Sequence, residues 1–253
     1  MNTIGLKTLL WREVKRFCVL WIQTLVPPFL TSLLYIIIFG HLLGSRIQDI
    51  GGISYIDFIV PGILMMQVIS GSFSNTSSSL YIARLQNYIQ ELLVAPLSYI
   101  EMVLGYVLAG TLRGIIIGLG VYLVGVFFTS ATILHFGTFL YFLIFTSLLF
   151  SLLGAIVGLW GKTFDHINLP NTFILLPLSF FGGVFHSVSL LPEQFARLTY
   201  FNPIFYMVNG IRQSMLGSSD VSSFFGGSIL AIMTIVAFFW CVWLFKRGYH
   251  LRS

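Results

Sequence analysis

Six long apolar runs limit the fold of this chain more than any other feature of its sequence. A helix needs about 20 predominantly apolar residues to cross a bilayer, and these runs leave charged residues at only 8% of the 253 positions. Soluble domains carry about 25% charged residues and need polar groups to cover their surface. The sequence therefore predicts an all-α integral membrane protein with six transmembrane helices, at residues 19–43, 56–79, 102–128, 134–160, 168–186 and 224–245.

Helix-breaking residues mark the first and the fifth predicted spans. The first contains Pro27 and Pro28, and the fifth contains two prolines and ends near Gly182 and Gly183. Such breaks are tolerated at membrane depth only where neighbouring protein groups satisfy the freed carbonyls or where the backbone lines a cavity. We therefore expect the first span to pack against protein. We expect residues 187–222 to form re-entrant or interfacial helices on the far side, which makes them a candidate wall or gate of a pathway.

The basic residues predict how the chain is oriented. Residues 3–17 interleave apolar and cationic side chains, which predicts an N-terminal helix lying in the membrane interface with its cations toward the headgroups. Cytoplasmic segments carry an excess of Lys and Arg, so the net charge of +5 indicates membrane orientation rather than nucleic-acid binding. With both termini cytoplasmic, nine basic residues lie inside and three outside: Lys7, Arg12, Lys15, Arg16, Arg84, Lys162, Lys246, Arg247 and Arg252, against Arg46, Arg197 and Arg212.

The predicted cytoplasmic loop between the second and third spans contains a short amphipathic helix within residues 84–96. Its apolar residues recur at helical spacing and Pro96 stops it: they are Leu85, Ile89, Leu92 and Leu93. A short helix with an apolar ridge and a few charges suits docking into a groove of a partner protein. It equally suits an interfacial helix that rests on lipid.

Nucleotide, metal and catalytic sites are not expected in this chain. Gly161, Lys162 and Thr163 resemble the end of a phosphate-binding loop, but that loop requires a glycine at position 156, where Ile156 stands. The five histidines and two cysteines show no metal-ligand spacing, and no catalytic group converges in the sequence. If ATP drives this protein, ATP and Mg are bound by another chain.

Arg113 is the one clear charge within a predicted span. Charges in the bilayer are costly and are functional hypotheses by default, so Arg113 is a candidate substrate or gating contact. The alternative is a structural pair with a polar group of a neighbouring helix, or a side chain that reaches toward the interface.

Several short motifs occur in a fixed order along the chain. They are TLVPP at 24–28, VPG at 60–62, ELLVAP at 91–96, NPIFY at 202–206, GIR at 210–212 and the ending from Arg247-Gly248 to Leu251-Arg252-Ser253. In this order and spacing the sequence resembles the ABC-2 type transporter permeases along essentially its whole length.

The resemblance implies a membrane-embedded homodimer that moves a hydrophobic or amphipathic substrate outward across a bacterial inner membrane. Each permease subunit would dock one separate ATPase, so that two ATPase copies close on ATP and rock the permease halves. The pathway would form near the first, second and fifth spans. The residues implied in coupling to the ATPase are Arg84, Glu91, Leu92, Leu93 and Pro96, with Arg12 and Arg16. Those implied in the far-side gate are Asn202, Pro203, Tyr206, Gly182 and Gly183.

Other classes of membrane protein fit less well. Secondary transporters and channels that work without ATP often contain inverted repeats with broken helices in matching positions, and we find none here. An intramembrane enzyme needs converging polar groups within its spans, and a purely structural scaffold has no need of breaks in mid-span. The sequence leaves the substrate open, since a drug, a lipid and a glycan are all compatible with it.

Overall fold

Helices make up all the regular structure in the described part of the chain. The computed structural model describes residues 2–44, 49–50, 52–130, 132–188 and 191–249, and within them only an isolated bridge joins Ile50 and Ile53. The all-α prediction is therefore confirmed. The helices are α1 (Thr3–Val19), α2 (Trp21–Thr24), α3 (Val26–Tyr35), α4 (Tyr55–Leu85), α5 (Tyr88–Val94), α6 (Tyr99–Val126), α7 (Phe136–Trp160), α8 (Phe164–Pro170), α9 (Leu176–Phe181), α10 (Glu193–Phe201), α11 (Pro203–Leu216) and α12 (Ser223–Arg247), with π-helical segments at Ile36–Leu43 and Asn171–Leu175.

Five helical runs in the described residues are long and apolar enough to cross a membrane. They correspond to the first, second, third, fourth and sixth predicted spans and cover Trp21–Leu42, Tyr55–Leu85, Tyr99–Val126, Phe136–Trp160 and Ser223–Arg247. The predicted fifth span, 168–186, falls on the broken helical run from α8 to α9. That run ends at Phe181 rather than at residue 186 because Gly182 caps it and Gly183 reverses the chain with φ +78°, a conformation that favours glycine. The number of six spans remains a prediction.

Helix α4 forms the centre of the bundle and packs on α6 and α7. Small residues allow these backbones to approach closely, as is typical of membrane helices. A Cβ added at Gly154 of α7 would lie 2.4 Å from the carbonyl oxygen of Phe73 in α4, and one at Gly158 would lie 2.8 Å from that of Ser77. On α6, Gly114 similarly faces the hydroxyl of Ser72. The backbone of α4 thus touches α7 directly, and only a small hydroxyl side chain lies between α4 and Gly114 of α6.

The first span lies at the outside of this bundle. Pro27 and Pro28 stand in the first turn of α3, where a missing backbone N–H is tolerated, instead of kinking the middle of a helix as the sequence suggested. Only 11% of the most apolar stretch of this span is buried within the chain, compared with 83% for α4. A single chain therefore does not provide the protein environment that we expected around the first span.

The loops lie at two opposite ends of the bundle. At one, the α5 end, Asn2 donates a hydrogen bond to the carbonyl of Pro96 and Tyr81 donates one to that of Lys162. At the other, the α11 end, Ser130 contacts Asp57, and the backbone of Leu134 bonds that of Ser214 in α11. These ends match the two sides that the charge distribution predicts. Arg46 and Arg252 of the charge count, and the terminal motif residues 251–253, lie outside the described residues.

Candidate functional site

The short helix α5 packs its apolar side onto its own chain. Helix α4 ends at Leu85, and Asn87 reverses the backbone with φ 62° before α5 begins at Tyr88. Ile89 is buried, and Leu92 and Leu93 pack against the core. Ile89, Leu92 and Leu93 of the ridge therefore hold α5 on the bundle, whereas Leu85 is exposed, and docking of this helix to a partner stays a prediction. Four residues of α5 are exposed: Tyr88, Gln90, Glu91 and Val94.

Arg84 also acts within the chain. It lies in the last turn of α4, outside α5, and its Nη1 donates hydrogen bonds of 2.8 and 3.0 Å to the carbonyls of Gly158 and Gly161. These carbonyls lie at the C-terminal end of α7, where backbone acceptors lack helical partners and a cation is favourable. Arg84 thus joins α4 to α7, and its role in coupling to a partner stays a prediction. Pro96, after α5, is exposed.

A buried carboxylate that the sequence analysis missed organises α1. Glu13 is buried and forms ion pairs with Arg12 at 3.0 Å and Arg16 at 3.2 Å, and the hydroxyl of Ser79 in α4 donates to it as well. Arg12 also donates to the hydroxyl of Tyr106 in α6. Arg12 and Arg16 thus pair with a buried carboxylate, which requires nearby cations, and the placement of α1 in the membrane interface stays a prediction.

A second set of polar contacts joins this group to Arg113. Arg16 donates to the side-chain oxygen of Asn75 in α4 at 3.1 Å, and Arg113 of α6 reaches the same oxygen at 3.5 Å. Arg113 also donates to the carbonyl of Thr24 at 2.8 Å. Thr24 lies four residues before Pro28, so its carbonyl is the one that the proline leaves without a helical N–H donor. These contacts support the structural interpretation of Arg113.

A cleft of about 370 Å³ opens at the α5 end between α1, α4 and α5. Arg12, Glu13 and Arg16 line one side of the cleft, and Tyr88 and Glu91 of α5 line the other. The structure therefore brings together three of the predicted coupling residues, Arg12, Arg16 and Glu91. It does not place Arg84, Leu92 or Leu93 at this cleft.

At the α11 end, the predicted gate residues form one connected corner. Asn202 accepts a hydrogen bond from the backbone of Ile204 and donates one of 2.6 Å to the carbonyl of Leu178 in α9, while Pro203 begins α11. Gly182 follows α9 and faces Ile204 closely. The hydroxyl of Tyr206 donates to the carbonyl of Tyr200 in α10. The NPIFY motif thus fixes three short helices to one another.

Arg212 is the largest departure from the sequence analysis at this end. It was counted among the outside charges, yet it is 2% exposed. Its Nη2 donates a 2.6 Å hydrogen bond to the carbonyl of Gly183, and its guanidinium lies 3.7 Å from the ring centroid of Phe58 in α4. The sequence signal for this burial was the position of Arg212, which lies one helical turn after Val208 on an apolar helix face.

The fold and these two ends can now be compared with known proteins. The family model described as "ABC-2 type transporter" matches residues 5–216, which is most of the chain. The chain belongs to the ABC-2 type transporter family.

Relatives of this ABC-2 type chain match it over most of their length. It is 44% identical over 251 residues to "Inner membrane transport permease YadH" of Escherichia coli (strain K12), covering 99% of this chain and 98% of the relative. It is 25% identical over 243 residues to "Nodulation protein J" of Rhizobium meliloti (strain 1021), covering 94% and 89%. The ABC-2 match covers α1 to α11 and so includes both the cleft beside α5 and the corner around Arg212. No cluster of metal-ligating side chains occurs among the residues that the structure describes.

Proposed function

We propose that this ABC-2 type permease is the membrane subunit of an exporter in a bacterial inner membrane, with both termini in the cytoplasm, and that ATP is bound and hydrolysed with Mg by a separate ATPase. The family membership carries the permease assignment, and the name of the 44% identical relative, an inner membrane transport permease, supports the inner membrane. The permease itself would perform no catalysis, and each of two permease copies would dock one ATPase copy.

The cleft beside α5 is the proposed docking site for the ATPase. It combines exposed Tyr88 and Glu91 of α5 with the half-exposed Arg12 of α1, so a partner would meet an aromatic ring and charges of both signs. A displacement of α5 would be passed on, because Ile89 packs in the core and Glu13 connects α1 to Ser79 in α4. A movement caused by docking of the ATPase at this cleft would thus be transmitted to α4, the central helix of the bundle.

The proposed pathway runs along the first, second and fifth spans, where a second copy of the chain would complete it. The first and fifth spans each contain a π-helical segment, a feature that is frequent at functional sites. Phe185 connects them at the α11 end, with ring centroids 4.6 Å from Phe39 and 5.1 Å from Phe180. The exposed first span offers an apolar face to a second copy or to lipid, which suits a hydrophobic or amphipathic substrate.

The test is ATP hydrolysis by the full-length chain in liposomes, with and without a candidate ABC ATPase from the same organism. We expect stable co-purification and hydrolysis that requires the permease. Glu91→Arg reverses the charge at the cleft and should uncouple the ATPase without unfolding the permease. Glu193→Arg makes the same change at an exposed carboxylate of the α11 end and should leave coupling intact.

Two results would contradict the proposed function or the proposed docking site. If no ATPase associates and transport proceeds without ATP, the chain works as a secondary transporter or a channel and the exporter proposal fails. If both charge reversals leave coupling unchanged, the ATPase docks elsewhere than at the cleft.

A further inference from the structure

A second cavity lies at the α11 end, about 180 Å³ in volume, between the start of α4 and the segment that follows α11. Its polar lining consists of four hydroxyl or carboxyl groups around one guanidinium: Ser187, Ser218, Ser219 and Asp220, with Arg212. Phe58 and two isoleucines form the rest of the wall. The cavity is remote from the α5 cleft, and no residue of the proposed coupling surface lines it.

The guanidinium of Arg212 is incompletely paired. Only its Nη2 has a protein acceptor, the carbonyl of Gly183, while Nε and Nη1 have none in the described structure. A buried charged donor without a partner is costly, so its retention in the wall of a cavity points to a ligand that supplies the missing acceptors. The ring of Phe58 covers one face of the guanidinium and leaves its edges for hydrogen bonding.

The charge of Arg212 is compensated only in part by the protein. Asp220 lines the same cavity but is exposed, and it forms no ion pair with Arg212 within the described residues. Burial lowers the pKa of Arg212 to about 10, so the side chain stays cationic at neutral pH. The wall of the cavity therefore presents a buried cation that interacts electrostatically with the exposed carboxylate of Asp220 but forms no direct ion pair with it in the described residues.

We propose that this cavity binds a single phosphate-type oxyanion, with Arg212 as its principal binding residue and the serine hydroxyls as further donors. Guanidinium groups match such anions in geometry and in charge. The oxyanion is either free in solution or part of the headgroup of an amphiphile at this end of the bundle. The proposal goes beyond the exporter function and does not depend on the ATPase.

The test uses the full-length chain without an ATPase, in nanodiscs of neutral phosphatidylcholine. Inorganic phosphate is titrated at constant ionic strength against chloride, and binding is followed with radiolabelled phosphate and by the midpoint of thermal unfolding. A second arm replaces part of the lipid by phosphatidic acid. Saturable binding of inorganic phosphate indicates a soluble oxyanion, whereas stabilisation by phosphatidic acid alone indicates a headgroup.

Three variants distinguish specific binding in this cavity from nonspecific electrostatic attraction of the anion to the protein. Arg212→Gln should weaken binding at least tenfold, which corresponds to loss of about 1.4 kcal/mol or more. Asp220→Asn removes a competing carboxylate from the cavity at an exposed position, so it should fold normally and tighten binding severalfold. Glu193→Gln removes an exposed carboxylate elsewhere at the same end and should leave binding unchanged.

Asp220→Asn keeps the test decisive even if Arg212→Gln fails to fold. The proposal is overturned if neither phosphate nor phosphatidic acid gives a saturable effect in the wild-type chain. It is also overturned if Asp220→Asn and Glu193→Gln change binding to the same extent, since that result would reflect net charge rather than the cavity.

Discussion

Replacement of Glu13 by glutamine should destabilise the bundle by a measurable amount. The side chain is only 4% exposed, and it holds Arg12, which is 44% exposed, and Arg16, which is 29% exposed. Breaking a fully buried ion pair costs about 3–5 kcal/mol, whereas surface pairs contribute about 0–1 kcal/mol. Since both arginines retain some water and glutamine can still accept from Ser79, we expect a loss of about 2 kcal/mol, or a fall of roughly 6 °C in melting temperature.

The assay is thermal unfolding of the purified chain in detergent or nanodiscs, with Glu193→Gln as the matched control. That control also removes a carboxylate from an ion pair with arginine, but both side chains of its pair are more than three-quarters exposed. We expect its melting temperature to stay near that of the wild type. Equal shifts for the two variants would refute the argument that burial of Glu13 makes the difference.

Two further predictions concern helix contacts. Gly154→Ala should destabilise the bundle by about 1–3 kcal/mol through overpacking against the carbonyl of α4. Gly137→Ala on the same helix meets open space, so thermal unfolding should show no loss for it, and similar losses for both alanines would contradict the close approach. Arg113→Gln should lower the free energy of unfolding by about 1 kcal/mol less in a Pro28→Ala background than in the wild-type chain. The reason is that the substituted alanine supplies a backbone N–H donor to the carbonyl of Thr24. Additive losses in this double-mutant cycle would show that Arg113 does not serve that carbonyl.

Local signals in the sequence were enough to predict the class of the fold and the positions of its main elements. Hydropathy located five helical runs of spanning length because a membrane imposes both the length and the composition of a helix. Pro96 after α5 marked a helix boundary correctly, since the missing N–H of proline acts within a few residues.

The roles of the charged residues depended on contacts between distant parts of the chain. Arg84 was predicted to face a partner, but the end of α7 comes within its reach only in the folded bundle. No sequence pattern predicted a role for Glu13, although Ser79 and two arginines surround it in the structure. Short-range patterns carry no information about such partners.

The sequence by itself therefore determined that this chain is an α-helical membrane protein, because the bilayer and the helix period constrain every local segment. The ABC-2 type was indicated separately, by the resemblance of its ordered motifs to that family. Only the tertiary structure decided which cations are exposed and which are buried. Arg212 shows the physical reason: its exposure is set by Phe58 and Gly183, which lie far from it in the sequence and meet it only when α4, the turn after α9 and α11 pack together.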